Sequence, residues 1–182
     1  MTEIVVVSDT HGNAKKIQDM LSVLKTISFD EIFHLGDDYK DADAFVEAGY
    51  VLTRVPGTWT SEYESIYIDN RCFVDCLGWR IFLTHTPESH YRDLVGDIKP
   101  ERVIQKKDCD LFLHGHTHRP AIEERGGLTV LNPGHLKADI DRGYPATYAT
   151  ISLSNLQAHI KVFKLIDGSV LLEKTIDKRT SK

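Results

Sequence analysis

Ile4-Val5-Val6-Val7-Ser8-Asp9-Thr10-His11-Gly12 changes character within one residue. Its first four side chains are apolar and β-branched, with no polar face for water. Such a run suits a strand covered on both sides in a parallel or mixed sheet. The polar half starts where that strand must stop. Ala14, Ile17, Leu21 and Leu24 then recur at helical spacing, so residues 14–26 are predicted to form an amphipathic helix. The unit repeats. Glu31-Ile32-Phe33-His34-Leu35 is the next predicted strand, stopped by Gly36-Asp37-Asp38. A short helix is expected over residues 41–48 and a third strand from Tyr50 to Val55, ending at Pro56-Gly57. A β-α-β-α-β order implies parallel strands joined by right-handed crossovers.

The second half reads differently. Strands are predicted at residues 80–84 and 111–113, with a helix opened by Pro100 over residues 100–107. From about residue 120, short strands alternate with the turn signals Gly126-Gly127, Asn132-Pro133-Gly134 and Asp167-Gly168. Residues 147–153, 157–163 and 170–176 read as an antiparallel meander. The simplest assembly is one α/β domain over residues 1–182, its second sheet packed on the first with helices outside and a frayed tail from about residue 177.

A chain of 182 residues buries roughly 70% of its unfolded surface, enough for a core without disulfides. Apolar residues are 41% and charged residues 27%, which excludes wholesale disorder. Lys and Arg number 22 against 27 Asp and Glu, a net charge of −5. An acidic chain is poorly suited to gripping long nucleic acid through its phosphates. Cys72, Cys76 and Cys109 fit no zinc or redox spacing and read as reduced thiols. With no signal-peptide pattern and no apolar run of about 20 residues, the sequence points to a cytoplasmic protein without a membrane partner. A homo-oligomer is left open.

The chemistry gathers just after the strands. Asp9 and His11 follow the first, Asp37 the second, His85 the strand ending at Thr84, and His116 and His118 the strand at 111–113. Ligands of open α/β sheets collect at such carboxyl ends. Two carboxylates and four imidazoles are oxygen and nitrogen donors suited to Mn²⁺, Fe, Zn²⁺ or a similar divalent ion. Six are too many for one catalytic ion with an open position, but they suit two ions about 3.5–4 Å apart sharing a carboxylate. Gly12, Gly36, Gly57 and Gly115 lie beside these residues or strand ends, where the backbone must turn or approach a bound group closely.

Ser8-Asp9-Thr10-His11-Gly12-Asn13, Leu35-Gly36-Asp37, Thr84-His85, Gly115-His116-Thr117-His118 and Asn132-Pro133-Gly134 together resemble the calcineurin-like metallophosphoesterase superfamily. Among its members the chain is most similar to the compact bacterial and archaeal phosphodiesterase-type branch, which also includes the metal-poor small subunit of retromer. The resemblance spans residues 3–165 and implies a four-layer α/β/β/α sandwich of two mixed sheets flanked by helices. It also implies a dinuclear centre of Mn²⁺, with Fe, Zn, Ni or Co as alternatives. Asp9, His11, Asp37 and His118 would hold the first ion, and Asp37 would bridge to the second with His85 and His116. Asp37, His85 and His116 would thus be the catalytic set. Asn132 would shape the loop beside them, and His34, Asp38 and His114 are neighbours of ligands.

The sequence departs from the family at three places. Thr58 stands where the family has an Asn whose carbonyl oxygen binds the second ion, so that ion is expected to be held less tightly. Trp59 stands where the wider superfamily often has a histidine, and an indole cannot transfer a proton. Thr86-Pro87 replaces a usual Gly-His, leaving His90, Tyr91 and Arg92 downstream as substitutes. His135 follows Asn-Pro-Gly, placed to reach a phosphate or to cover the site. The expected activity is hydrolysis of a small phosphodiester or phosphomonoester by hydroxide generated between the ions. The alternative is a catalytically weak metal-binding scaffold or interaction module of the same fold.

Overall fold

The computed structural model describes residues 1–179. It opens with β1 (Thr2–Val7), α1 (Ala14–Leu24), β2 (Glu31–His34), a 3₁₀ turn at Tyr39–Ala42, α2 (Asp43–Glu47) and β3 (Leu52–Arg54). β1, β2 and β3 pair in parallel, as their alternation with helices requires. Next come β4 (Arg71–Cys76), β5 (Trp79–Thr84), α3 (Pro100–Lys106), β6 (Leu111–His114), β7 (Ala121–Arg125) and β8 (Leu128–Asn132). The two-residue strands β9 (Ile140–Asp141) and β10 (Tyr144–Pro145) precede β11 (Thr147–Leu153), β12 (Gln157–Lys164) and β13 (Val170–Asp177).

The last three strands form the expected meander, and β11 pairs antiparallel with β1. One mixed sheet therefore runs β13-β12-β11-β1-β2-β3, with β13 and β3 outermost, and a second runs β4-β5-β6-β8-β7. β4 is an addition to the sequence reading, which places no element there. It forms a hairpin with β5 through Leu77-Gly78, both at positive φ (48° and 76°), the conformation that two-residue hairpin turns require.

The apolar run of β1 divides by parity. Ile4 and Val6 pack between the sheets with Phe33, Ile81, Leu83, Leu113 and Ile151. Val5 and Val7 face the other way, against Ile17, Met20, Leu21 and Leu24 of α1 and Phe45 of α2. On the far side, Val103 of α3 covers Phe82, Phe112 and Val130. These three apolar layers make the four-layer α/β/β/α sandwich. Each fully buried side chain of this size contributes about 2 kcal/mol. The Asn13 side chain caps α1 by accepting from the Lys16 N–H at 3.1 Å.

The three cysteines are free, and burial pushes the thiols of Cys72 and Cys109 up to about 11 and about 12. Fraying does not begin at residue 177. Asp177 closes β13, the Lys178 N–H donates to the Leu156 carbonyl at 2.7 Å, and the Arg179 guanidinium donates to the Cys109 carbonyl at 2.9 Å. The rest of the expected tail, residues 180–182, lies outside the described residues. No helix among the described residues is long and apolar enough to cross a membrane.

Candidate metal centre

The carboxyl ends of β1, β2, β5 and β6 meet at one rim. Donor atoms of Asp9, His11 and His118 lie within 4.8 Å of one another, and so do those of Asp9, Asp37 and His85. His11 Nδ1 is 2.7 Å from an Asp37 oxygen, and its Nε2 is 3.0 Å from His118 Nε2. His116 Nδ1 is 3.2 Å from His85 Nε2. All six residues singled out after the strands therefore converge. Asp9 belongs to both donor groups, and Asp37 reaches one through His85 and the other through His11.

Eight described non-glycine residues have positive φ, and five of them are Asp9, His11, Asp37, His116 and His118, at 49° to 82°. Non-glycine residues held there cost about 1–3 kcal/mol each and persist only where their surroundings over-determine them. Those surroundings are visible. The Asp9 N–H donates to the Gly36 carbonyl at 3.0 Å, and Asp41 accepts from the Gly12 N–H at 2.7 Å. A Cβ at Gly57 would strike the Asp37 backbone, and one at Gly115 would strike Ser8 Oγ and Asp9. Both glycines are there for close approach, not for turning.

The hydrogen bonds fix which nitrogens face the rim. A carbonyl only accepts, so His85 Nδ1 carries the proton that it donates to Leu35 O at 2.8 Å, and Nε2 offers its lone pair. His118 Nδ1 donates to Asp141 at 2.5 Å, which turns Nε2 toward His11 and toward Asp9, 3.3 Å away. Burial alone would raise the Asp9 carboxyl, but the His118 bond, the nearby imidazoles and the Ser8 hydroxyl hold it at about 2. Burial opposes charge on His118, yet its bonds to Asp9 and Asp141 outweigh this and raise it. Burial and the neighbouring His85 bring His116 down to about 4, so it is neutral at pH 7, the form that ligates metals. A carboxylate facing imidazole nitrogens whose other nitrogen is already committed is satisfied by a proton on the imidazole or by a cation between them. A divalent cation fits the donor types present.

The profile of the calcineurin-like phosphoesterase superfamily domain matches residues 2–156. The chain belongs to this superfamily. A probable metallophosphoesterase of Mycoplasma pneumoniae is 27% identical over 156 residues, covering 85% of this chain and 91% of that protein. Phosphodiesterase YfcE of Escherichia coli K12 is 25% identical over 200 aligned positions, covering 97% of this chain and all of YfcE. The structure of Vacuolar Protein Sorting 29 from Cryptosporidium parvum matches with a TM-score of 0.71 at 18% identity, covering 97% of this chain and 98% of that one, a likeness of fold. Membership places the chain among metal-dependent phosphoesterases.

The remaining candidates of this calcineurin-like site differ in burial and in what they bond. Thr58 is fully buried, and its Oγ1 has no hydrogen-bond partner among the described residues. Such an orphaned hydroxyl needs a further group to satisfy it. His114 and Asn132 stand behind the loop that carries His116. His114 Nδ1 donates to the Gly115 carbonyl at 2.9 Å, and Asn132 Nδ2 donates to that carbonyl at 3.1 Å and to Thr117 Oγ1 at 2.8 Å. Burial lowers His114 to about 4, leaving it neutral. His135 has no nitrogen left for a phosphate. Its Nε2 donates to the Tyr144 carbonyl at 3.1 Å and its Nδ1 accepts from the Lys137 N–H at 3.2 Å, so it covers His118 instead. Asp38 is exposed and lies outside both donor groups; burial, Asp41 and Asp37 raise its carboxyl. Thr86 accepts from the buried Arg71 at 3.1 Å and serves the loop rather than the rim. Sequence reasoning missed Asp41 and Asp141, which orient the Gly12 turn and His118.

Proposed function

We propose that the chain hydrolyses a small phosphoester, a diester or a monoester, using two divalent ions, with Mn²⁺ the first choice and Fe, Zn, Ni or Co as alternatives. The observation that carries this reading is the rim itself, where five strained residues and His85 converge their donor atoms. Asp9, His11, Asp37 and His118 would hold one ion, and Asp37, Thr58, His85 and His116 the other. When bound, such ions supply Lewis acidity toward phosphoryl oxygens and lower the pKa of water. Asp141 and the Leu35 carbonyl hold His118 and His85 in the tautomers that present Nε2 to the rim. Thr58 offers a hydroxyl in place of an amide carbonyl, so the second ion is the weaker. The names of the Mycoplasma and Escherichia relatives support phosphoester hydrolysis as the activity, and the net charge of −5 speaks against long nucleic acid as the substrate.

The competing reading is a scaffold that binds metal without turnover. Trp59, which cannot transfer a proton, is the observation that favours it. Hydrolysis of a chromogenic phosphodiester with and without Mn²⁺ separates the two. Mn²⁺-dependent release of the chromophore that is lost in Asp37→Asn is expected. Tight Mn²⁺ binding with no turnover of diester or monoester would establish the scaffold.

A further inference from the structure

Beside the metal centre stands a group of rings that the reading so far leaves unused. His90 lies 6.5 Å, centroid to centroid, from His116, and its ring packs on Tyr91 at 4.4 Å. Trp59 meets His90 at 6.1 Å and Tyr91 at 6.2 Å, both near edge-to-face. Trp59 is 63% exposed and Tyr91 78% exposed. Two large aromatic rings are therefore left in water, each two ring steps from His116 through His90.

Neighbouring side chains also brace the loops that carry them. The Arg92 guanidinium sits 5.2 Å over the Trp59 ring and donates to Glu64 at 2.6 Å. Below them, the buried Arg71 donates to Asp93 at 2.8 Å and to Thr86 at 3.1 Å, and the Tyr63 hydroxyl donates to the same Asp93 at 2.5 Å. This ties the loop at 56–65 to the loop at 86–98. An aromatic corner on loops tied together in this way loses less conformational freedom on binding than one on free loops, and aromatic walls with a few fixed polar groups are the ordinary lining of small-molecule sites.

We infer that Trp59 and Tyr91 form a stacking corner for a planar aromatic ring carried by the phosphoester, a nucleobase or an aryl group. The inference rests on the phosphoesterase reading for the position of the phosphoryl group. It adds that selectivity lies in the ring attached to that group. Base–aromatic stacking on this scale corresponds to about tenfold or more in affinity.

The test reads binding as well as turnover. Adenosine monophosphate is compared with ribose 5-phosphate, and phenyl phosphate with cyclohexyl phosphate, by calorimetry in Mn²⁺. The first pair tests a nucleobase and the second an aryl group, each against a partner without a planar aromatic ring. A preference of about tenfold for the ring-bearing member of at least one pair is expected. Trp59→Ala and Tyr91→Ala, checked for folding by thermal melts, should bring that ratio toward one, and Trp59→Phe should keep most of it. The second tryptophan, Trp79, is fully buried, so quenching of intrinsic fluorescence by the ring ligand reports on Trp59. Equal affinities within both pairs for the unsubstituted protein, or a ring preference that survives both alanine variants, would overturn the assignment. A ring preference in a protein that hydrolyses no ester would leave the assignment standing and count against the hydrolytic reading alone.

Discussion

His118, in the loop after β6, is oriented by a residue of β9. Its Nδ1 proton is committed to Asp141, whose carboxyl this bond holds at about 2. An ionised Asp141 only accepts, so in the neutral imidazole the proton stays on Nδ1 and Nε2 keeps its lone pair for the rim. Asp141→Asn preserves shape but supplies an amide N–H that can donate to Nδ1 and move the ring proton to Nε2. A drop in Mn²⁺ affinity of about 10–100-fold is expected for such a change, read by calorimetric titration, with the metal-free melting temperature little altered. An unchanged affinity would show that His118 needs no partner. The same residue marks the limit of the sequence. Asp9, His11, Asp37, His85, His116 and His118 were legible because each directly follows an apolar run. Asp141 and Asp41 were not, because they act on residues 23 and 29 positions away across loops with no periodicity. His135 was legible as a neighbour, but the Tyr144 carbonyl that occupies its Nε2 was not.

The hairpin of β4 and β5 carries the ion pair that steadies the loops. Arg71 opens β4 with its side chain 1% exposed, and Asp93, 2% exposed, answers from the loop above. Burial alone would raise the Asp93 carboxyl, but the bonds from Arg71 and Tyr63 outweigh it and hold it below its ordinary value. Its stabilisation is therefore present above the unfolded pKa near 3.9 and disappears as pH falls through the lower folded value. Asp93→Asn leaves Arg71 without its main partner and should cost about 3 kcal/mol at pH 6–7. The gap between the melts of the two proteins should narrow below about pH 4. A constant gap from pH 7 to pH 2 would mean that the charge is not what matters. This element is also where the sequence reading falls short. Parallel strands announced themselves as unbroken apolar runs, and the meander through its turn signals. β4 alternates Cys72, Val74 and Cys76, which pack against the inter-sheet core, with Arg71, Phe73 and Asp75. Its charges and modest apolar content hide that period until β5 is seen beside it.

At the scale of the molecule, the donors come from both sheets. Asp9, His11 and Asp37 follow strands of the six-stranded sheet, and His85, His116 and His118 follow strands of the five-stranded one. Ions at this rim bind the folded chain and not the unfolded one, so they add stability by mass action. At a hundredfold excess over Kd this is about 2.7 kcal/mol, or about 5–10 °C in melting temperature for a chain of this size. Mn²⁺ should produce that shift, excess chelator should reverse it, and Asp37→Asn should abolish it. A melt indifferent to Mn²⁺ would mean that the two sheets close without an ion between them. The outer strands of the six-stranded sheet have a different consequence. β3 is three residues long, and β13 presents exposed Glu173 and Asp177 among its side chains. An open sheet margin is a template on which further chains can be added, and brevity and charge are what discourage that growth. At these two margins, zippering of crowded copies into fibres is thereby discouraged.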